Sequence, residues 1–241
     1  MKFKKILKHL LLLCLLVGLS LLYGFSLQRN SQKKIVDISV NFEAGDNNFL
    51  THNMVNKLLI QNNETVKNKA KSILDLYSLE NNILKNPYVE KAAVFYTVNG
   101  MLKTVVKQRE PIARIVSKNS SYYIDKQGVK VPLSDVFSAR VLLISGVKKD
   151  EEIKEILPFI KAILKDDFFK KEIVGIHKSA ENEFVFSVRS GDYKIDFGNL
   201  EDIEVKFKKL KAFYNTTYKN KTIQNYKTIT VKYHNQVVCT K

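Results

Sequence analysis

The hydrophobic pattern opens with an unbroken run. Leu10 to Leu27 reads LLLLCLLVGLSLLYGFSL, eighteen residues without a charge. As a helix at about 1.5 Å per residue it spans roughly 27 Å, close to the hydrocarbon thickness of a bilayer. Each central leucine favours insertion by about 0.5 kcal/mol. The run exceeds the apolar stretch of a cleaved signal, and no A-x-A site follows it, so the pattern predicts an anchor.

Beyond the anchor the periods change. Residues 35–42 alternate and predict a strand. Thr51 precedes Met54, Val55, Leu58 and Leu59 at helical spacing, as a cap precedes a helix. Residues 61–72 are polar and read as a loop or helix end. Asp75 or Ser78 caps a second helix with Leu76, Leu79, Ile83 and Leu84 on its buried face. Asn86-Pro87 stops it, because proline disfavours a helical residue before it and donates no hydrogen bond. Residues 89–98 and 101–109 alternate around Asn99-Gly100, a strong hairpin signal. The unit reads strand, helix, helix, strand, strand.

A second unit begins near Ile112. Residues 122–125 and 129–131 form a hairpin about Lys126-Gln127-Gly128, and Val141 to Ile144 is a short buried strand. Ile153, Ile156, Leu157, Ile160, Ile163 and Leu164 define a helix, with a kink or break expected at Pro158. Strands follow at 172–178, 182–189 and 192–197. Asn199 with Asp202 caps a helix whose stripe is Ile203, Phe207, Leu210 and Phe213. One long strand, Thr228 to Val238, closes the pattern.

Charge adds orientation. Lys2, Lys4, Lys5 and Lys8 precede the apolar run, which places the amino terminus in the cytoplasm by the positive-inside rule. Net charge is +16, or +12 without those four. The basic set is 35 Lys and 5 Arg. That arginine-poor balance argues against nucleic acid, whose readers favour bidentate arginine. It leaves an anionic cell wall or lipid surface as an alternative partner.

Catalytic patterns are sparse. His9, His52, His177 and His234 lack metal-ligand spacing, and no C-x-x-C, H-E-x-x-H or G-x-S-x-G occurs. Cys14 lies in the apolar run and Cys239 near the carboxyl end, too far apart for a disulfide. The sequence therefore predicts no catalytic residue, no metal and no cofactor, and a function carried by surfaces.

Several motifs then occur in order: Leu84-Lys85-Asn86-Pro87-Tyr88-Val89-Glu90-Lys91-Ala92, the hairpin, Gln108-Arg109-Glu110-Pro111-Ile112-Ala113-Arg114, Tyr123 to Gly128, and Leu143-Ile144-Ser145-Gly146. Their sequence and spacing resemble the FtsQ/DivIB bacterial cell-division family. Gln108 departs from that pattern, which often has Glu there. The resemblance implies an α+β protein: a cytoplasmic tail (1–9), a transmembrane helix (10–27), a POTRA domain of β-α-α-β-β order (35–111) and a C-terminal mixed β-domain with flanking helices (112–241). It gives Leu84, Asn86, Pro87, Val89, Ala92 and Pro111 structural roles in the POTRA motif.

It further implies a non-enzymatic, single-pass scaffold of the inner membrane at the division septum, with its C-terminal domains periplasmic. Its partners would be FtsB/DivIC-like and FtsL-like proteins, with other divisome or septal synthase components possible, linking them to peptidoglycan synthesis. In the family a partner strand adds to the last strands of the β-domain, a form of β-augmentation. The segment predicted to receive it comprises Thr228, Ile229, Thr230, Val231, Lys232, Tyr233, Asn235 and Gln236. Tyr233 falls near the family's partner-contacting tyrosine. On this reading the strand has a free edge that only Lys232 protects.

Overall fold

The computed structural model describes residues 2–60, 66–118, 120–234 and 236–241, with backbone alone for residues 2–5. The chain is mixed α+β and divides into two compact units, 1–108 and 109–241.

The first unit opens with α1 (Lys2–Ser31), whose side chains are exposed along nearly its whole length. Among the described residues this is the one helix long and apolar enough to cross a membrane. A three-stranded sheet follows, formed by β1 (Ile38–Phe42), β2 (Val89–Tyr96) and β3 (Leu102–Gln108) in the order β1-β3-β2. β3 pairs parallel to β1 and antiparallel to β2. Between β1 and β2 lie α2 (His52–Leu58), a 3-10 turn (Lys71–Ile73) and α3 (Leu76–Leu84).

Both predicted caps form. Thr51 Oγ1 accepts from the Met54 N–H at 3.3 Å, and Asp75 Oδ1 from the Ser78 N–H at 3.1 Å. The sharp stop after α3 is an Asn turn, in which Asn86 Oδ1 accepts from the Tyr88 N–H and the Asn86 carbonyl from the Val89 N–H, both at 3.0 Å. The Tyr88 ring stacks on Phe49 at 5.1 Å. Leu79, Ile83 and Val89 are buried, and Ala92 is half-buried. Leu84 corrects the expected stripe: it is exposed, at the last position of α3, one residue past the buried Ile83. Glu80 reaches from α3 to the β2 edge, where Oε2 accepts from the Val94 N–H at 3.1 Å.

Gln108 is buried at the end of β3. Its Oε1 accepts from the N–H groups of Phe49 and Leu50, each at 2.9 Å, and its Nε2 donates to the Leu50 carbonyl at 2.8 Å. The loop before α2 is thereby tied to the central strand.

The second unit is a nine-stranded mixed sheet in the order β12-β11-β10-β9-β8-β7-β4-β5-β6. Its strands are β4 (Pro111–Val116), β5 (Ser121–Asp125), β6 (Lys130–Pro132), β7 (Leu142–Ser145), β8 (Ile173–Lys178), β9 (Phe184–Val188), β10 (Lys194–Gly198), β11 (Thr228–Thr230) and β12 (Val238–Thr240). The helices are α4 (Asp150–Lys165), α5 (Asp167–Glu172) and α6 (Ile203–Lys219). Their apolar stripes and one sheet face share a single core. At its centre the Phe159 ring lies 5.1–6.0 Å from those of Phe184, Phe186, Phe197 and Phe207.

Pro111 belongs to β4 of this unit rather than to the first. Arg109 pairs with the buried Asp125 at 2.7 Å and Glu110 with Lys126 at 2.6 Å, which draws the residues after Gln108 into the second sheet. Asp125 Oδ1 also accepts from the N–H groups of Gln127 and Val129 at 2.9 and 2.8 Å, fixing the hairpin turn that Gly128 completes at φ +80°. After β7, Gly146 sits at φ +86°, and a Cβ there would lie 1.9 Å from the Lys178 carbonyl oxygen. No other residue type fits that approach.

Three expectations change in this unit. α4 runs through Pro158 as one helix rather than two, with Pro158 and Lys154, whose carbonyl loses its helical partner, both exposed. Asp202 makes no side-chain cap for α6, since it adopts φ +48°, while Asn199 bonds to Glu201 and Lys206. The single strand expected at 228–238 is two strands, β11 and β12, which pair antiparallel with each other.

Candidate functional site at the carboxyl-terminal sheet edge

β11 and β12 build one end of the nine-stranded sheet. β11 lies parallel to β10 on one side (Ile195 opposite Ile229) and antiparallel to β12 on the other (Ile229 opposite Cys239). The expected free edge at Thr228, Ile229, Thr230 and Val231 is therefore absent. Ile229 and Val231 are fully buried in the core, and Thr228 and Thr230 are half-buried. The cause is that the chain folds back after Val231, which lays β12 where a partner strand was expected.

The outer edge belongs to β12. Its backbone direction follows from pleat alternation. The Lys227 carbonyl accepts from Lys194 N–H and the Val231 N–H donates to the Asp196 carbonyl, both at 2.9 Å, so these groups face β10. Thr228 and Thr230 then face β12, opposite Thr240 and Val238. Cys239, between them, turns its backbone N–H and C=O outward. Its side chain packs on the core, and burial pushes the thiol pKa up. Val238 and Thr240 are exposed.

The connection between β11 and β12 is held from two directions. The Lys209 ammonium, on α6, donates to the carbonyls of Val231 at 2.9 Å, Tyr233 and His234 at 3.2 Å. Lys232 pairs with Asp196 at 3.2 Å and Glu183 at 3.3 Å, and these carboxylates, Asp196 foremost, raise its pKa. Lys232 is thus engaged with the sheet face rather than guarding an edge. Tyr233 stands at 47 % exposure on this pinned loop, and Gln236 is exposed. Asn235 lies outside the described residues.

Sequence reading missed Lys209 and β12. The polar tetrad Tyr233 to Gln236, midway through an otherwise apolar alternation, was the turn signal that marks the fold-back. For Lys209 no local signal exists, since its partners lie more than twenty residues away in the chain. Of the POTRA-motif residues, Asn86 is half-buried at its turn and Pro87 is exposed. His177, on the open face of the sheet, has its Nδ1 2.9 Å from Ser145 Oγ, in a solvent-exposed pair.

Comparison with known proteins matches residues 110–240, more than half the chain, to the family model described as FtsQ/DivIB, C-terminal related. Residues 34–107 match the POTRA-like domain. Among curated proteins, none matches the chain.

Proposed function

The chain belongs to the FtsQ/DivIB family, a divisome scaffold family with a POTRA-like domain, and from that premise we propose that it recruits its partner by strand addition at β12. In this reading α1 anchors the chain in the inner membrane, with the amino terminus in the cytoplasm and both compact units on the far side at the septum. An FtsB/DivIC-like protein, joined to an FtsL-like one, lays a strand along β12 and is thereby coupled to septal peptidoglycan synthesis. Proteins of this family are typically non-catalytic, and a role in assembly needs only a surface.

The observation that carries the reading is the outward backbone of Cys239 on an edge strand only three residues long. An unpaired N–H and C=O side by side on a β-edge are a template for another chain. Lys232, Tyr233 and Gln236 border that template. Tyr233 is the aromatic anchor, and Val238 and Thr240 flank the docking line. Thr228, Ile229, Thr230 and Val231 support the edge from behind.

The test uses the full chain in lipid nanodiscs and its FtsB/DivIC-like partner. Cys239→Pro removes the outward N–H without touching the bonds to β11, while Cys239→Ala keeps it. Loss of one backbone hydrogen bond at about 1 kcal/mol, with misfit at the ring, predicts binding weakened about tenfold for the proline variant. The alanine variant stays near the parent. Tyr233→Lys also weakens capture. Equal affinity for proline and alanine variants would remove β12 from the interface. An interaction that collapses between low and high salt instead supports the basic-surface alternative, since backbone pairing is little screened.

A further inference from the structure

The end of the first unit next to α1 carries three exposed branched aliphatic side chains: Val36 at 63 %, Ile73 at 68 % and Val98 at 93 % exposure. Single exposed aliphatics are ordinary, but here they come from three segments stitched together. The Lys71 N–H donates to the Lys33 carbonyl and the Ile35 N–H to the Lys69 carbonyl, both at 3.0 Å. The Val36 N–H donates to the Gly100 carbonyl at 3.0 Å, and the Tyr96 hydroxyl to the Lys71 carbonyl at 3.1 Å. The segment after the helix, the 3-10 turn and the hairpin tip therefore form one surface.

That surface lies close to where α1 leaves the hydrocarbon. The uncharged run ends at Gln28 and the helix at Ser31. Four residues from Leu27 to Ser31 rise about 6 Å, comparable to a headgroup layer of about 5–8 Å. Residue 33 is already bonded into the unit, so no long linker separates span from fold. Lys33 and Lys34 are exposed at this end, after Arg29, while Lys71 lies over the Tyr96 ring at 5.1 Å. The acids nearby are engaged: Asp37 pairs with Lys67 at 3.2 Å and Asp75 caps α3.

We propose that this end of the POTRA-like unit is a membrane-docking surface that seats Val36, Ile73 and Val98 in the headgroup layer of the bilayer α1 spans, with Lys33 and Lys34 selecting anionic lipid. Apolar side chains flanked by lysines are the chemistry of interfacial binding. The surface fixes the height and tilt of the unit above the membrane. This inference needs only α1 in a bilayer and stands apart from the strand-addition reading.

The test places the full chain, with Cys14 and Cys239 replaced by alanine, in nanodiscs of mixed phosphatidylglycerol and phosphatidylcholine carrying shallow spin-labelled acyl chains. A polarity-sensitive fluorophore is attached at Val98→Cys, or at Asp46→Cys beyond the far end of β1. Expected is a blue-shifted emission at Val98 quenched at least about twofold more than at Asp46, and weaker quenching in pure phosphatidylcholine or with Lys33→Gln/Lys34→Gln. Both labelled positions are exposed, so the fold is preserved, which circular dichroism checks. Equal quenching at the two positions in anionic discs would overturn the docking surface. Strong Val98 quenching unchanged in pure phosphatidylcholine would overturn its selection of anionic lipid.

Discussion

At Gln108 the amide oxygen accepts two N–H groups while the amide nitrogen donates to the Leu50 carbonyl. A carboxylate does only the first of these. Gln108→Glu sets a buried anion against a carbonyl, which costs about 1–3 kcal/mol at pH 7. The carboxyl's folded pKa is then raised, so the loss is small near about pH 4 and grows as pH rises; denaturant titrations at both pH values check it. Glu152 shows the opposite sign. The Lys148 N–H at 2.6 Å, then Lys178 at 2.9 Å, pull its pKa from 4.5 down to about 2. Its stabilisation is complete above pH 4.5 and is lost as pH falls toward 2. Glu152→Gln lowers stability at neutral pH and flattens the acid limb of the stability–pH curve. The departure at Gln108 was visible in the sequence. Its partners, Phe49 and Leu50, lie nearly sixty residues upstream and were not.

At the level of elements, caps and turns obey short-range chemistry. Thr51, Asp75, Asn86 and Asp125 each bond within four residues; the two caps were legible beforehand, and the turns at Asn86 and Gly128 were legible by position but not by the side chain that holds them. Pro158 tests the converse, a local rule overridden by packing. α4 continues through it because Ile153, Ile156, Phe159, Ile160 and Ile163 are all buried on one face. Pro158→Ala restores a helix hydrogen bond at an exposed site and should stabilise the fold by about 1–3 kcal/mol, less the entropy returned to the unfolded chain. Thermal unfolding measures it. The β11–β12 pair shows where element reading ends. Alternation over 228–238 suits one strand or a fold-back equally, and Lys209, which holds the bend, comes from a distant helix.

The molecule as a whole consists of two units with separate cores. Phe159→Ala leaves a cavity among four phenylalanines and should cost about 3–5 kcal/mol. Hydrogen exchange should show that loss confined to residues 109–241, with the amides of β1 to β3 unaffected. Much of this plan was determined by the sequence alone: the apolar run, the strand-helix-helix-strand-strand order of the first unit, the caps at Thr51 and Asp75 and the glycine turns, whereas β4, α5 and β12 were not read from it. Each feature so determined is fixed by groups within a few residues of one another. The tertiary structure alone decided that Arg109 to Pro111 join the second sheet, that Thr228 to Val231 lie inside it, and that β12 forms its rim. Which strand has one neighbour and which has two depends on pairing between distant segments, and an alternating pattern of side chains is the same in both.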